Sequence, residues 1–578
     1  MIRRLAILIC LVALCSAWFG SGSGPQPAAA TVLPQQPAAI YILRVYVSGT
    51  ADVTRLTSGG WDVLEARGKD YLLLIGDESV VAALRAQGYT VAVDHAMNTA
   101  GGRAPFTYDG GYRTVAEHYQ HMDNLAALHP DLALTVTYGL SWQKGQNPAA
   151  GSDLRAICIT RRQPGDCALN PNSSKPRFFL MAAIHARELT TAELAWRWID
   201  LLINNYNVDP DITALLDYNE MWVVPVANPD GRSIVETTNL YQRKNADTNY
   251  CPGNLFGADL NRNASFQWGV SGASSSPCDE IYMGPSPASE PEEYTLETLM
   301  QNLFRDQRGP QVVDAAPVTT TGTMLTLHSY SNLVLLPWGW TVCSGGVCPA
   351  NLRTPNDVAL RALAFHMSYF NGYRTGQPSE VLYAASGTTD DWAYGKLGIP
   401  GFTFEVGPDD YSYCSFFDPP YSCQDSVFWP QNAGAFLYLA KVSRQPYALG
   451  LGPTVQSPTS TLIVPISVTA RFTAAVSSNV YGASGVSIPT AMPVSTTQFT
   501  IDAPPWISGT KVYSMTAADG AFDSTAETVK GQSPANLGPG RHTLYIHGQD
   551  AAGNWGPVTA RWLLVAPYAV RFVLIYRN

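Results

Sequence analysis

Residues 177–205 read RFFLMAAIHARELTTAELAWRWIDLLINN. The stretch 178–183 is apolar throughout instead of alternating, which marks a strand covered on both faces, and a helix over 190–205 follows after a short junction. The same succession of apolar strands and helices runs outward: helix 115–128, strand 221–226, helix 290–305, strand 323–328 and strand 401–406. It predicts one large α/β unit over 106–445, an α/β/α sandwich on a twisted, mixed, mostly parallel sheet.

On either side the pattern changes. Strand-like runs at 40–47, 61–66, 71–75 and 89–93, with helices at 52–56 and 77–87, give the order βαββαβ, a small open sandwich within 31–105. The loose Gly- and Asn-containing stretch 97–111 suits a linker. Beyond a second linker at 446–460, residues 461–578 are rich in Ser, Thr, Val, Gly and Pro, with short strand runs at 462–469, 498–501, 542–549 and 560–565. A C-terminal β-sandwich is the economical reading. Several units fit 578 residues, at roughly 100–200 residues per domain. With 46% hydrophobic and 14% charged residues the chain is neither disordered nor a coiled coil, and a formal net charge of −10 argues against nucleic acid or anionic lipid as partners.

Residues 1–30 open with Arg3-Arg4, continue through the apolar run 5–19 and turn small and polar over 20–30, the order of an export signal. A short anchor helix is the alternative, but a spanning helix needs about 20 apolar residues. A secreted chain with no transmembrane span in its mature form is therefore expected, with association to the cell surface left open. Cys10 and Cys15 fall in this leader. The other eight cysteines lie as near neighbours, Cys158 with Cys167, Cys251 with Cys278, Cys343 with Cys348 and Cys414 with Cys423. In an exported chain an even set of this kind reads as disulfides closing local loops, and none of the spacings is that of a CxxC zinc site.

At the strand-to-helix junction stands His185-Ala186-Arg187-Glu188, where a His and a carboxylate three residues apart can turn toward one point. A catalytic zinc takes about three N/O ligands and keeps one position open. His328, at the carboxyl end of strand 323–328, is the best third ligand, because sites in open α/β sheets gather outside the carboxyl ends of strands. The absence of HExxH removes the helix-borne zinc proteases.

Seven segments then occur in one order: His185-Ala186-Arg187-Glu188, Asn228-Pro229-Asp230-Gly231, Gln242-Arg243-Lys244-Asn245, Asp259-Leu260-Asn261-Arg262-Asn263, Leu327-His328-Ser329-Tyr330, Tyr383-Ala384-Ala385-Ser386-Gly387 and Phe402-Thr403-Phe404-Glu405. Together, over roughly 112–443, they resemble the zinc metallocarboxypeptidases, the pancreatic A/B type and their secreted bacterial relatives. The resemblance implies one Zn²⁺ held by His185, Glu188 and His328, with Asp259 fixing the ring of His185. It implies Glu405 as the group that activates the zinc-bound water and Arg243 as the cation facing the scissile carbonyl. Asn261 and Arg262 would grip the substrate's terminal carboxylate, Tyr383 would close over the last residue, and Arg187 would join them on the substrate side. A cis peptide at Ser329–Tyr330 is also implied.

Seven residues past Tyr383, where the family sets the floor of its side-chain pocket, stands Asp390. An acidic floor resembles the branch that removes Lys or Arg. The module before the linker sits where the family carries its pro-segment, and cleavage near Arg103 would remove it; the alternative is a permanent folding module. The expected partners are peptide or protein C-termini, and the expected state is a monomer. Two rival readings are a cell-wall peptide-trimming peptidase of the same fold and a non-catalytic peptide-binding protein.

Overall fold

The computed structural model describes residues 39–97, 111–238, 241–253, 255–410, 412–456 and 461–567. The expected leader over 1–30 with its two cysteines, Arg103 and nearly all of the first linker, and part of the second linker lie outside them.

The large unit is built on an eight-stranded sheet in the order 374–376, 333–335, 401–405, 323–328, 177–182, 220–224, 153–159, 133–140. Four neighbouring pairs run parallel, among them all those joining 401–405, 323–328, 177–182 and 220–224, while the antiparallel pairs lie toward the two sides. The sheet is thus mixed with a parallel centre. Every residue of the central strand Arg177–Ala182 is buried, as two covered faces require. Helix Leu189–Asn205 presents Leu194, Ala195, Trp198, Ile199 and Leu202 to that sheet at helical spacing, and Trp198 meets Phe178 and Phe436 edge-on with ring centroids 5.8 and 6.0 Å apart. Each such buried side chain contributes about 1.5–3 kcal/mol of transfer free energy, and this core fixes where the strands end.

Residues 40–97 form a separate antiparallel sheet in the order 62–67, 71–76, 40–46, 91–97, with helices Thr50–Thr57 and Glu78–Ala86. The second helix starts one residue later than the sequence pattern suggests, because Asp77 serves as its cap, accepting from the backbone N–H groups of Ser79 and Val80. The edge strand Asp62–Arg67 is irregular. Val63 pairs with Leu74 and Arg67 with Leu72, so residues 64–66 leave the ladder as a bulge. The apolar core of this module does not close on itself: Leu43, Val45, Leu72 and Leu74 share a cluster with Leu333, Leu335, Leu382 and Tyr383 of the large unit.

Residues 454–566 form a four-stranded and a five-stranded sheet. Strand Arg471–Ser477 alternates exposed and buried positions, so Phe472, Ala474 and Val476 meet Val494, Phe499, Ile546 and Leu563 in one core. The four neighbouring cysteine pairs are all bonded: Cys158–Cys167, Cys251–Cys278, Cys343–Cys348 and Cys414–Cys423. Among the described residues no helix is long and apolar enough to cross a membrane.

Candidate active site

Three adjacent parallel strands end at one place. His328 and Glu405 are the last residues of Thr323–His328 and Gly401–Glu405 and are register partners. On the other side of His328's strand, Ala182 pairs with Leu327, and the chain then turns sharply at Ala183, whose φ is 53°. Thr191 Oγ1 accepts from the Ala183 N–H at 3.0 Å and holds this left-handed turn, which carries His185 and Glu188 over the strand ends. Asn228 braces the junction. Its Nδ2 donates to the carbonyls of Ile184 and Lys244 at 3.1 and 3.2 Å, and its Oδ1 accepts from the Gly231 N–H. A side chain at position 231 would stand 2.6 Å from Asn228 Nδ2 and 2.7 Å from the Lys244 carbonyl, so only glycine fits.

The ligand atoms of His185, Glu188 and His328 lie within 4.8 Å of one another. His185 Nδ1 is 2.7 Å from Glu188 Oε1 and 3.1 Å from His328 Nδ1. The outward nitrogens are engaged elsewhere, His185 Nε2 with Asp259 at 3.1 Å and His328 Nε2 with Thr326 Oγ1 at 3.2 Å. Two imidazole nitrogens and a carboxylate therefore converge, all buried, and Glu188 Oε2 has no hydrogen-bond partner although it lies 3.3 Å from His328 Nδ1. Facing lone pairs of this kind are satisfied by a cation, and the N/N/O set suits zinc. Against its burial, Arg243 and His185 hold Asp259 well below the usual carboxylate range. Asp259 in turn accepts from Arg243 Nε and Nη2 at 3.1 and 3.0 Å and from the Asn261 N–H at 3.0 Å.

The same pocket is lined by Arg243, Asn261, Arg262, Tyr383, Asp390 and Glu405. Glu405 Oε2 is buried without a hydrogen-bond partner. Burial, then the nearby carboxylates of Glu65 and Glu188, push the Glu405 carboxyl well above its ordinary range. Arg262 Nε donates to the Gly272 carbonyl at 2.6 Å and Asn261 Oδ1 accepts from the Thr389 N–H at 3.1 Å, which sets both at the pocket wall. Asp391, the neighbour of Asp390, is turned away to accept from the N–H groups of Gly339 and Trp340. The Ser329–Tyr330 peptide is cis, as is Pro337–Trp338.

Arg187 does not line this pocket. Fully buried, it stacks on Phe417 at 4.3 Å and donates from Nη1 and Nη2 to both oxygens of Asp62, at 2.8 Å each. Asp62 belongs to the N-terminal sheet, and so does a residue the sequence reading missed. Glu65, on the bulge, enters the pocket and accepts from Arg243 Nη1 at 2.9 Å. Its carbonyl accepts from Ser331 Oγ, Tyr383 Oη donates to the Val63 carbonyl at 3.3 Å, and Arg67 Nη1 donates to the Leu382 carbonyl at 2.6 Å. The covered pocket has a volume of about 40 Å³, room for a few waters at roughly 10–15 Å³ each and not for a peptide end.

Residues 118–425, more than half of the chain, match the zinc carboxypeptidase family. Carboxypeptidase A2 of Rattus norvegicus is 32% identical over 345 residues, 59% of this chain and 72% of that protein. Carboxypeptidase B of Astacus astacus is 31% identical over 298 residues, 51% and 86% of the two chains. In fold, the crystal structure of the carboxypeptidase A from Helicoverpa armigera aligns with a TM-score of 0.53 at 21% identity, covering 71% of this chain and 98% of that one. With a His–Glu–His cluster at the strand ends and a family match across the sheet that carries it, this chain belongs to the zinc carboxypeptidases, peptide hydrolases that use one zinc ion to act on C-terminal residues.

Proposed function

We propose that the chain is an exported carboxypeptidase, held latent by its N-terminal module, that removes C-terminal Lys and Arg from peptides and proteins. The units would be a leader over 1–30, a pro-segment over 31–105, the catalytic unit over 106–445 and a C-terminal β-sandwich over 461–578. The basic preference rests on one observation: the carboxylate-bearing Asp390, 4% exposed, lines the pocket that holds Asn261, Arg262 and Glu405. A cation entering that desolvated space needs a counter-charge.

Once the module is gone, Asn261 and Arg262 bind the terminal carboxylate, the guanidinium offering a planar fork. That grip restricts cleavage to the last peptide bond. Held by His185, Glu188 and His328, a zinc ion would supply Lewis-acid chemistry here. Arg243, kept charged by Asp259, donates to the carbonyl oxygen as negative charge develops there. Glu405 Oε2 accepts the proton of the attacking water and passes it to the departing amine. Asp259 keeps the ring of His185 oriented through Nε2, and Tyr383, now bonded to Val63, becomes free to cover the bound residue.

The test compares trimmed enzyme on blocked peptides ending in Arg and in Phe, with and without a zinc chelator, beside Glu405→Gln. The expected result is chelator-sensitive release of the last residue, faster from the Arg peptide, and a kcat lower by about 10²–10⁴ in the variant. A strong Phe preference overturns the specificity. No release after trimming overturns the catalytic reading in favour of a binding protein or a cell-wall peptidase. N-terminal sequencing of secreted active material tests removal of the module; a start near Ala30 counts against it.

A further inference from the structure

A second cavity, of about 310 Å³, lies where the C-terminal sheets meet the large unit, and it shares no lining residue with the catalytic pocket. Helix Pro210–Tyr218 and the end of helix Trp429–Val442 form one wall. Strands Val494–Ile501, Gly540–Asp550 and Thr559–Ala566 form the other. Tyr218, Trp506, Tyr545 and Trp555 give its lining an aromatic part. Trp506 and Tyr545 each meet Tyr218 edge-on at 5.9 and 6.2 Å, and Trp555 stacks on His547 at 4.2 Å.

The charges of this cavity do not balance. Asp211 is fully committed, accepting from Lys441 Nζ at 2.9 Å and from the Ala560 N–H at 2.7 Å. His547 is held neutral by burial, which pulls it down to about 4, and accepts from Gln498 Nε2. Arg444 is left over. Its guanidinium lies 4.4 Å above the Trp506 ring and Nη2 donates to the Tyr218 carbonyl at 3.2 Å, but Nε is buried without a partner. Among the described residues no carboxylate lies within ion-pair distance of it. Burial accordingly pulls even this guanidinium down to about 10. Arg444 is half-buried, and a cation partly removed from water without a counter-ion is costly; here it sits at the edge of an aromatic-lined slot large enough for a small molecule.

We propose that this cavity is a binding site for a small aromatic carboxylate, whose ring lies among Trp506, Tyr545 and Trp555 and whose carboxylate pairs with Arg444. The planar fork of Arg444 suits a two-point grip on an oxyanion, and the aromatic walls take a flat apolar body by stacking and edge contacts. The ligand would be either a free aryl acid or the C-terminal aromatic residue of a chain, both of which carry this chemistry. Because the cavity is built from both units, its occupant would tie the C-terminal sheets to the catalytic unit.

The test is calorimetric titration of the full uncleaved chain carrying Arg262→Ala, so that the catalytic carboxylate grip is removed from the measurement. Phenylacetate and N-acetylphenylalanine are the two probes, with phenylacetamide and methyl glucoside as neutral controls. Saturable binding of at least one acid with a Kd below about 1 mM is expected, as is plausible for roughly ten well-contacted heavy atoms. It should weaken at least tenfold for phenylacetamide and in Arg444→Gln, and should fall similarly in Trp506→Ala, whose ring is 39% exposed and whose loss leaves the core intact. The acid that binds better names the source. Absence of saturation by about 10 mM, equal binding of acid and amide, preference for the glucoside, or affinities unchanged in both variants each overturns the proposal.

Discussion

Replacing Asp62 by Ala should wake the uncleaved chain. Asp62 is the counter-ion of Arg187, a fully buried guanidinium that donates to both its oxygens at 2.8 Å. Removing one partner of a buried, hydrogen-bonded charge pair costs about 2–5 kcal/mol, because the other charge stays desolvated. At 1.4 kcal/mol per tenfold, docking of the module weakens roughly 30- to 4,000-fold. The lower end is expected, since the Asp62 side chain is itself 15% exposed and Arg187 keeps its stacking on Phe417. Undocked, Arg187 is solvated and the cost disappears, so the substitution acts on the closed state alone. The module remains covalently attached, and docking is opposed by no concentration term, so activity rises only in so far as the closed state loses its advantage. The assay is hydrolysis of a blocked dipeptide ending in Arg by intact chain, with mass spectrometry confirming that no trimming has occurred. Basal activity well above that of the parent, approaching the trimmed enzyme, is expected. Equal rates for parent and Asp62→Ala, or a parent already as fast as trimmed enzyme, would refute the reasoning.

Other expectations follow from the same contacts. Asp390→Ala should lower kcat/KM for Arg-ended peptides by roughly a hundredfold, the cost of about 2–3 kcal/mol for an unpaired cation, while Phe-ended peptides are unchanged or faster; parallel loss on both substrates contradicts the assignment. His366, 1% exposed between the rings of Tyr438 and Tyr481, is pulled down to about 3 by burial. The unfolded chain takes up a proton near pH 6.5 that the folded chain refuses, so its contribution is intact above that pH and lost as pH falls toward 3, at up to about 1.4 kcal/mol per pH unit. Tm measured from pH 7 to 4 should fall less steeply in His366→Phe than in the parent. Replacing Cys251 and Cys278 by Ser opens a 27-residue loop, which costs about 3.5 kcal/mol in the chain-entropy model, and because that loop carries Asp259 the Tm loss should come with loss of activity.

What could be read in the sequence depends on how local the causes are. The apolar run 178–183 and its relatives at 323–328 and 401–406 declare a covered, largely parallel sheet without further information, and the rule that sites gather at the carboxyl ends of such strands leads to His328. His185 and Glu188 sit on one junction, so their convergence needs only that short segment. Asn261 and Arg262 lie in a single 3-10 turn, Leu260–Arg262, and Tyr383 on a loop, paths that no periodicity reveals, and only the resemblance pointed to them. Arg187 was likewise placed by the motif alone; in the closed chain its guanidinium stacks on Phe417 and pairs with Asp62 of the N-terminal module.

Glu65 was out of reach for a more specific reason. It contacts Arg243 across a separation of 178 residues, and its own neighbourhood, Trp61 to Arg67, reads as an ordinary edge strand. In a regular strand Asp62 and Glu65 would point to opposite faces. The extra residues between Val63 and Arg67 break that alternation, and both carboxylates reach the large unit, one onto Arg187 and one onto Arg243. Leu64 and Ala66 pack with Tyr330 and Phe417 in the same step. The bulge costs ladder hydrogen bonds on an otherwise pairable edge. The compensation lies in the catalytic unit, in two buried guanidinium contacts and a shared apolar cluster. A strand distorted in favour of another unit's arginines is what the proposed inhibitory role of the module requires, and it explains why the module's own pattern betrays no site.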